Sequence, residues 1–156
     1  MLQEMYMKKK LALALLATLV ATPLAWAAEK PEVAIYKNPW CGCCEAWAEA
    51  LVKDGYTVQR HDLEDLSQIK KSAGVPGDME SCHTAKVDGY VLEGHVPLEA
   101  VTKLLSERPA IAGIAVPGMP QGSLGMGDDP TARYDVVTLP KATGAKSEVY
   151  YQAGVK

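Results

Sequence analysis

The apolar positions of this 156-residue chain change period several times, and each change predicts an element. Val33-Ala34-Ile35-Tyr36 is an unbroken apolar run of strand length, which reads as a buried strand. From Cys44 the apolar positions step at helical intervals through Trp47, Ala48 and Leu51, and Gly55 stands where a C′ residue belongs. Tyr56 to His61 alternates and predicts a second strand. Leu63, Leu66, Ile69 and Ala73 stripe a second amphipathic helix closed by Gly74. Thr84 to Leu92 reads as a hairpin turning at Asp88-Gly89, a favoured two-residue turn. Pro97 occupies a first helical position, and Leu98, Val101, Leu104 and Leu105 line a helix that stops before Pro109. A parallel strand pair, an antiparallel hairpin and flanking helices predict a three-layer α/β domain.

Beyond that point the periodicity is lost. The stretch from Pro117 to Pro130 holds Pro120, Gly118, Gly122, Gly125 and Gly127 as well, which excludes regular structure, and it is long for an idle loop. Arg133 to Leu139 and Ser147 to Tyr151 then read as two short strands, a terminal β-hairpin. Length suits one domain rather than two, and 48% hydrophobic residues exclude a disordered chain. With no Phe, the core must be aliphatic and built on Tyr and Trp. A net charge of −3, with no basic block beyond residue 10, leaves nucleic-acid binding without an electrostatic basis.

The first residues follow a different logic. Lys8, Lys9 and Lys10 precede an uncharged apolar run from Leu11 to Ala21, then Pro23 and Ala25-Trp26-Ala27. This is the three-part layout of a secretory signal, with small residues at the positions a signal peptidase reads. Residues 1–27 are therefore expected to be a signal peptide, with Met7 the natural start and Ala28 the first mature residue. The competing reading is an uncleaved anchor, since Leu11 to Ala28 is close to the lower limit for crossing a bilayer. Pro23 and the Ala-x-Ala site favour cleavage. The expected mature protein is exported, periplasmic and not stably inserted in the membrane.

The cysteines carry the chemistry. Cys41, Cys43 and Cys44 fall between a strand and a helix, and Cys82 stands alone, followed by His83. Two structural disulfides are the plain expectation for an exported chain with an even cysteine count. A bridge inside 41–44 would close a very short loop, however, and the entropic gain grows with loop length. Cys41 and Cys44 also have C-x-x-C spacing at a helix start, where unpaired N–H groups and the helix dipole favour a thiolate. Disulfide exchange and metal ligation then compete. Exchange needs two sulfurs, and Cys43 is surplus to it; for metal binding a third thiolate can bridge ions. Zinc would be satisfied by four thiolates but gives no reason for the neighbouring methionines. Thiolate with thioether selects Cu(I), and Met119 and Met126 sit in the irregular segment where core packing is least expected of them.

These residues also carry a resemblance. Trp40-Cys41-Gly42-Cys43-Cys44 after a short strand resembles the thioredoxin active-site turn, with Cys43 in place of the usual Pro. Ser81-Cys82-His83-Thr84 stands where thioredoxins place a cis-Pro before the hairpin, which implies that Cys82 and His83 face the first cluster. Together with Glu93-Gly94-His95-Val96-Pro97 and Ala115-Val116-Pro117-Gly118-Met119-Pro120, the chain is similar to the CopG-type periplasmic copper-resistance proteins. The resemblance implies a thioredoxin-like domain over 28–116 and a Gly/Pro/Met-rich C-terminal extension over 117–156 packing on it. It implies copper held by the cysteines, with Cu(I)/Cu(II) interconversion beside an efflux system. The expected site is Cys41, Cys43, Cys44 and Cys82 with His83, Met119 and Met126, with Cys41 and Cys44 as any redox pair. Four thiolates would neutralise up to four Cu(I) ions, so a bridged multi-copper cluster in a monomer is expected. His95 is assigned local hydrogen bonding at a helix start, His61 to solvent, and Trp40 to shielding the cluster. A thiol–disulfide oxidoreductase and a passive copper carrier are the alternatives.

Overall fold

The structure, a computed structural model, describes residues 29–142 and 144–155; the expected signal peptide lies outside them. Seven strands form one mixed sheet: β1 (Val33–Lys37), β2 (Val58–Asp62), β3 (His83–Val87), β4 (Tyr90–Glu93), β5 (Gly113–Ala115), β6 (Tyr134–Leu139) and β7 (Val149–Ala153). Their order is β2-β1-β3-β4-β5-β6-β7. Helix α1 (Gly42–Lys53) links the parallel pair β1 and β2, and α3 (Leu98–Glu107) links the parallel pair β4 and β5. The short α2 (Ser67–Ser72) and a 3₁₀ turn at Gly77–Met79 lie between β2 and β3.

The alternation along each strand divides the side chains between two layers. On one face Val33 and Ile35 of β1, Ala85 and Val87 of β3, Leu92, Ile114 and Val136 pack against Trp47, Ala48 and Leu51 of α1 and Ala100, Val101 and Leu104 of α3. On the other face Val91, Ala115 and Leu139 meet Val75, with Ala73 and Met79 beside them. Met79 is thereby a packing residue.

Most of the expected elements are present with shifted ends. The hairpin turns at Asp88-Gly89, both with positive φ (48° and 85°), as a two-residue turn of this hand requires. Pro97 is the N-cap rather than the first helical residue of α3, and the helix ends with Arg108 in the left-handed region just before Pro109. The second helix is shorter than its stripe predicts. Leu63 stays exposed, and the Asp65 carboxylate accepts the Ser67 N–H at 2.8 Å, so the chain turns locally before it can coil. Strand β2 starts only at Val58, because Tyr56 turns into the core ahead of it. Strand β5 was not expected at all.

Candidate metal centre

Strand pairing brings the two cysteine segments together. β1 and β3 run antiparallel with Lys37 opposite His83, so the loop leaving β1 and the residue entering β3 lie side by side. That loop turns through Asn38, whose carbonyl accepts the Cys41 N–H at 3.0 Å, and delivers Cys41 as the N-cap of α1. The Cys41 sulfur accepts the Cys44 N–H at 3.3 Å. Cys41 and Cys44 are joined by a disulfide, and Cys43 and Cys82 are free thiols. The Cys43 sulfur lies 3.4 Å from that of Cys41, and the Cys44 sulfur contacts the Cys82 carbonyl at 3.7 Å. All four sulfurs fall within 4.8 Å of one another.

A second donor group shares Cys82. The sulfur of Cys82, a ring nitrogen of His83 and a ring nitrogen of His95 also lie within 4.8 Å of one another. His95 Nδ1 is 2.7 Å from the Leu124 carbonyl, which can only accept, so the ring proton sits on Nδ1. The lone pair of Nε2 then faces Cys82 Sγ at 2.9 Å, and the thiol donates to it. A histidine whose second nitrogen is held by a backbone carbonyl is oriented as metal-bound histidines usually are. His83 is fully buried, tilted against the Trp47 ring at 4.5 Å between centroids and edge-on to His95 at 5.0 Å. Its Nδ1 is 3.5 Å from Cys82 Sγ, and its Nε2 has no partner among the described residues. A buried nitrogen left in that condition costs about 1–3 kcal/mol.

Burial sets the protonation of the group. It holds both imidazoles below their ordinary range, His83 well below, where the neighbouring His95 and Lys70 act in the same direction. The Cys82 thiol is pushed up to about 12, first by burial and then by the neighbouring Cys43 sulfur. The pair is therefore a neutral thiol on a neutral imidazole, and a metal ion entering there displaces a proton. Alkylation checks this. In the disulfide form at pH 8, iodoacetamide should label Cys43 well before Cys82, read by peptide mass mapping. Equal rates would mean that Cys82 is not held as a thiol.

The surroundings hold this group in place. Trp47 donates its indole N–H to the Val96 carbonyl at 2.9 Å, tying α1 to the chain beside His95. The 117–130 segment crosses the first turn of α1 closely. At Gly125 (φ +80°) a Cβ would stand 2.6 Å from the Cys43 carbonyl oxygen and 2.9 Å from the Trp47 nitrogen, so only glycine allows the approach. On the opposite sheet face Glu93 accepts the Ser81 N–H at 2.7 Å and the Thr84 hydroxyl at 2.6 Å, and it pairs with buried Lys70. That network fixes the backbone on both sides of Cys82 and His83.

Two solved structures decide the relationship. Both are described as copper resistance protein CopG, in two forms, and each is 39% identical over 80% of this chain and 98% of theirs, with TM-scores of 0.72 and 0.71. The chain belongs to the CopG family. A family model described as a protein of unknown function, DUF411, matches residues 79–126, the stretch that carries Cys82, His83, His95, Met119 and Met126. No curated protein sequence matches the chain at significance.

Within this CopG-family fold the remaining expected residues fall out unevenly. Met119 is 57% exposed on a loop tied to Ser81, whose hydroxyl bonds the Gly118 carbonyl. Met126 is half-buried in the tight turns of the same segment. Trp40 is 76% exposed, so it stands out from the surface rather than covering the sulfurs. His61 is exposed, as expected, and stacks on Tyr36 at 4.8 Å. His95 is the residue that sequence reasoning undervalued. Its proximity to Pro97 suggests a local role, whereas the turn after β4 buries the ring against Cys82. Its signal was the Glu93-Gly94-His95-Val96-Pro97 stretch, in which both Glu93 and His95 act on the Cys82 segment. A cavity of about 370 Å³ lined by Leu124, Asp128, Tyr134 and Tyr151, among others, contains none of the four cysteines.

Proposed function

We propose that this protein binds Cu(I) in copper resistance, with Cys41, Cys43, Cys44 and Cys82 as thiolate ligands of a bridged multi-copper site. The observation that carries this is the convergence of four sulfurs from two chain segments within 4.8 Å. Soft thiolates at that density select Cu(I) over hard ions, and bridging lets four sulfurs serve more than one ion. Met119, exposed on the loop whose Gly118 is joined to Ser81, is a candidate thioether ligand, and Met126 a further one in the same segment.

Interconversion of Cu(I) and Cu(II) is the redox role we assign. The thiols of Cys41 and Cys44 can form their disulfide while giving one electron to each of two Cu(II) ions, yielding two Cu(I) and two protons. The disulfide of this structure corresponds to the protein side of that step. We further propose a thioredoxin-like domain over 28–116 with 117–156 as its extension. Its place is the periplasm, as a monomer working beside copper-efflux components. Among the described residues no helix is long and apolar enough to cross a membrane.

Disulfide exchange is the second reading, and the Cys41–Cys44 bridge at a helix N-terminus favours it. Against it, Cys43 lies 3.4 Å from the Cys41 sulfur, close enough to intercept a mixed disulfide. The test is an anaerobic Cu(I) titration of the reduced protein against a Cu(I) chelator, with zinc as competitor. More than one Cu(I) per chain, held against zinc, is the expected result. A single ion, or zinc retained against Cu(I), would overturn the cluster. Thioredoxin-like reduction of insulin, unaffected by copper, would favour exchange.

A further inference from the structure

We propose that the disulfide form keeps a copper site of its own, in which Cys82 Sγ, His83 and His95 Nε2 hold one Cu(I) ion. The inference rests on the copper reading above and assigns the site's behaviour when two of its sulfurs are locked together. With Cys41 and Cys44 bridged, neither can act as a thiolate, and the four-sulfur set loses half its donors. The Cys82–His83–His95 group loses nothing, because Cys82 is the only residue the two groups share.

Three observations make this group a site rather than a coincidence of burial. The His95 Nδ1–H is satisfied by the Leu124 carbonyl, which leaves Nε2 as a directed lone pair 2.9 Å from the sulfur. His83 is fully buried with Nδ1 3.5 Å from Cys82 Sγ, and no stronger partner among the described residues holds either ring nitrogen. The His83 ring packs on Trp47 and edge-on against His95, and the Leu124 carbonyl holds the His95 ring, so both are fixed without ligand.

Charge selects the ion. One thiolate and two neutral imidazoles carry −1, so a Cu(I) ion closes the site at zero net charge. Zn²⁺ would leave +1 buried with three donors, one short of the usual four. One sulfur with two imidazoles is also a set that serves copper in both oxidation states. Copper made monovalent by the Cys41/Cys44 pair thus has a holding place beside the new disulfide. Restoring the pair takes two electrons and two protons from a dithiol reductant, which leaves as its own disulfide, and reopens the four-sulfur set.

The experiment uses the protein with the Cys41–Cys44 bridge intact, verified by mass after thiol alkylation under denaturing conditions of a parallel sample. Cu(I) is titrated anaerobically from a chelator complex, with no other reductant present. One Cu(I) per chain should be retained, rising to several after reduction by a dithiol. His95→Gln and His83→Leu should each weaken binding to the disulfide form at least tenfold, while both reduced variants still take up cysteine-bound copper. Absence of Cu(I) from the disulfide form would overturn the inference. So would binding that both histidine variants leave unchanged, since that assigns the ion to Cys43 and Cys82 alone. If the reduced wild type binds no copper, the proposed function fails instead.

Discussion

Cys82→Ser should cost more copper than any other single replacement in the site, with stoichiometry falling by at least one ion per chain. Affinity for what remains should drop on the order of a hundredfold or more, since losing a mere supporting contact already costs up to about that. The reason is topological. Cys82 is the one residue present in both donor groups, with Cys41, Cys43 and Cys44 on one hand and His83 and His95 on the other. Serine is close in shape and cannot supply a soft thiolate, and Cys82 is not in the disulfide, so the domain should stay folded. The loss in the metal-free form should be about 1 kcal/mol, the ordinary scale of a partly buried substitution. Met119→Leu should shift copper affinity in the same direction by much less, because a neutral, exposed thioether adds little beside thiolates. Copper per chain and the thiolate charge-transfer absorption of both variants, beside the wild type, give the answer. Unchanged binding in Cys82→Ser would confine the metal to residues 41–44 and leave the histidines without a role.

The parts of this fold that were legible in the sequence are those in which local signals and tertiary burial agree. Val33-Ala34-Ile35-Tyr36 is apolar and forms most of β1 with Val33 and Ile35 in the core, Trp47, Ala48 and Leu51 stripe α1 and enter the core, and Asp88-Gly89 both suits and makes the turn. Where they disagree, reading failed. Leu63 and Leu66 continue a helical stripe, but the Asp65 side chain satisfies the Ser67 N–H locally and delays α2. Strand β5 is three residues long, too short to show a period, and exists because β4 and β6 flank it. At the site, clustered cysteines announce themselves by spacing. Cys82 joins them only through the pairing of β1 with β3, a contact that a thioredoxin resemblance implied and local sequence did not contain. His95 was harder still. The Glu93-Gly94-His95-Val96-Pro97 stretch marks it as part of a motif, but a helix-start position suits a capping histidine as well as a ligand, and its orientation is set by Leu124, 29 residues away.

Glu93→Ala should be the most destabilising replacement outside the apolar core, by about 3–5 kcal/mol in the metal-free protein. Glu93 and Lys70 are both buried, and the carboxylate also accepts the Ser81 N–H and the Thr84 hydroxyl. Burial pushes the Glu93 carboxyl above its ordinary range against the pull of Lys70, Thr84 and Ser81, so desolvation is the main cost the network must offset. Truncation to Ala leaves that cost on the other members. The Lys70 ammonium would keep only the Thr84 oxygen at 3.2 Å, and the Ser81 N–H would lose its acceptor. For a domain of ordinary stability, about 5–15 kcal/mol in total, this is a large fraction. Glu93→Gln should lose less, since the amide oxygen can still accept from Ser81 while the charge on Lys70 goes unmatched. Denaturant unfolding measures both variants, and a midpoint shift at constant slope identifies lost stability rather than a changed end state. The same truncation should loosen Ser81 and Thr84 on either side of Cys82 and His83, so copper affinity should fall together with stability. A loss below about 1 kcal/mol for Glu93→Ala would mean that water reaches Lys70, and that the backbone at Cys82 is held by β3 pairing alone.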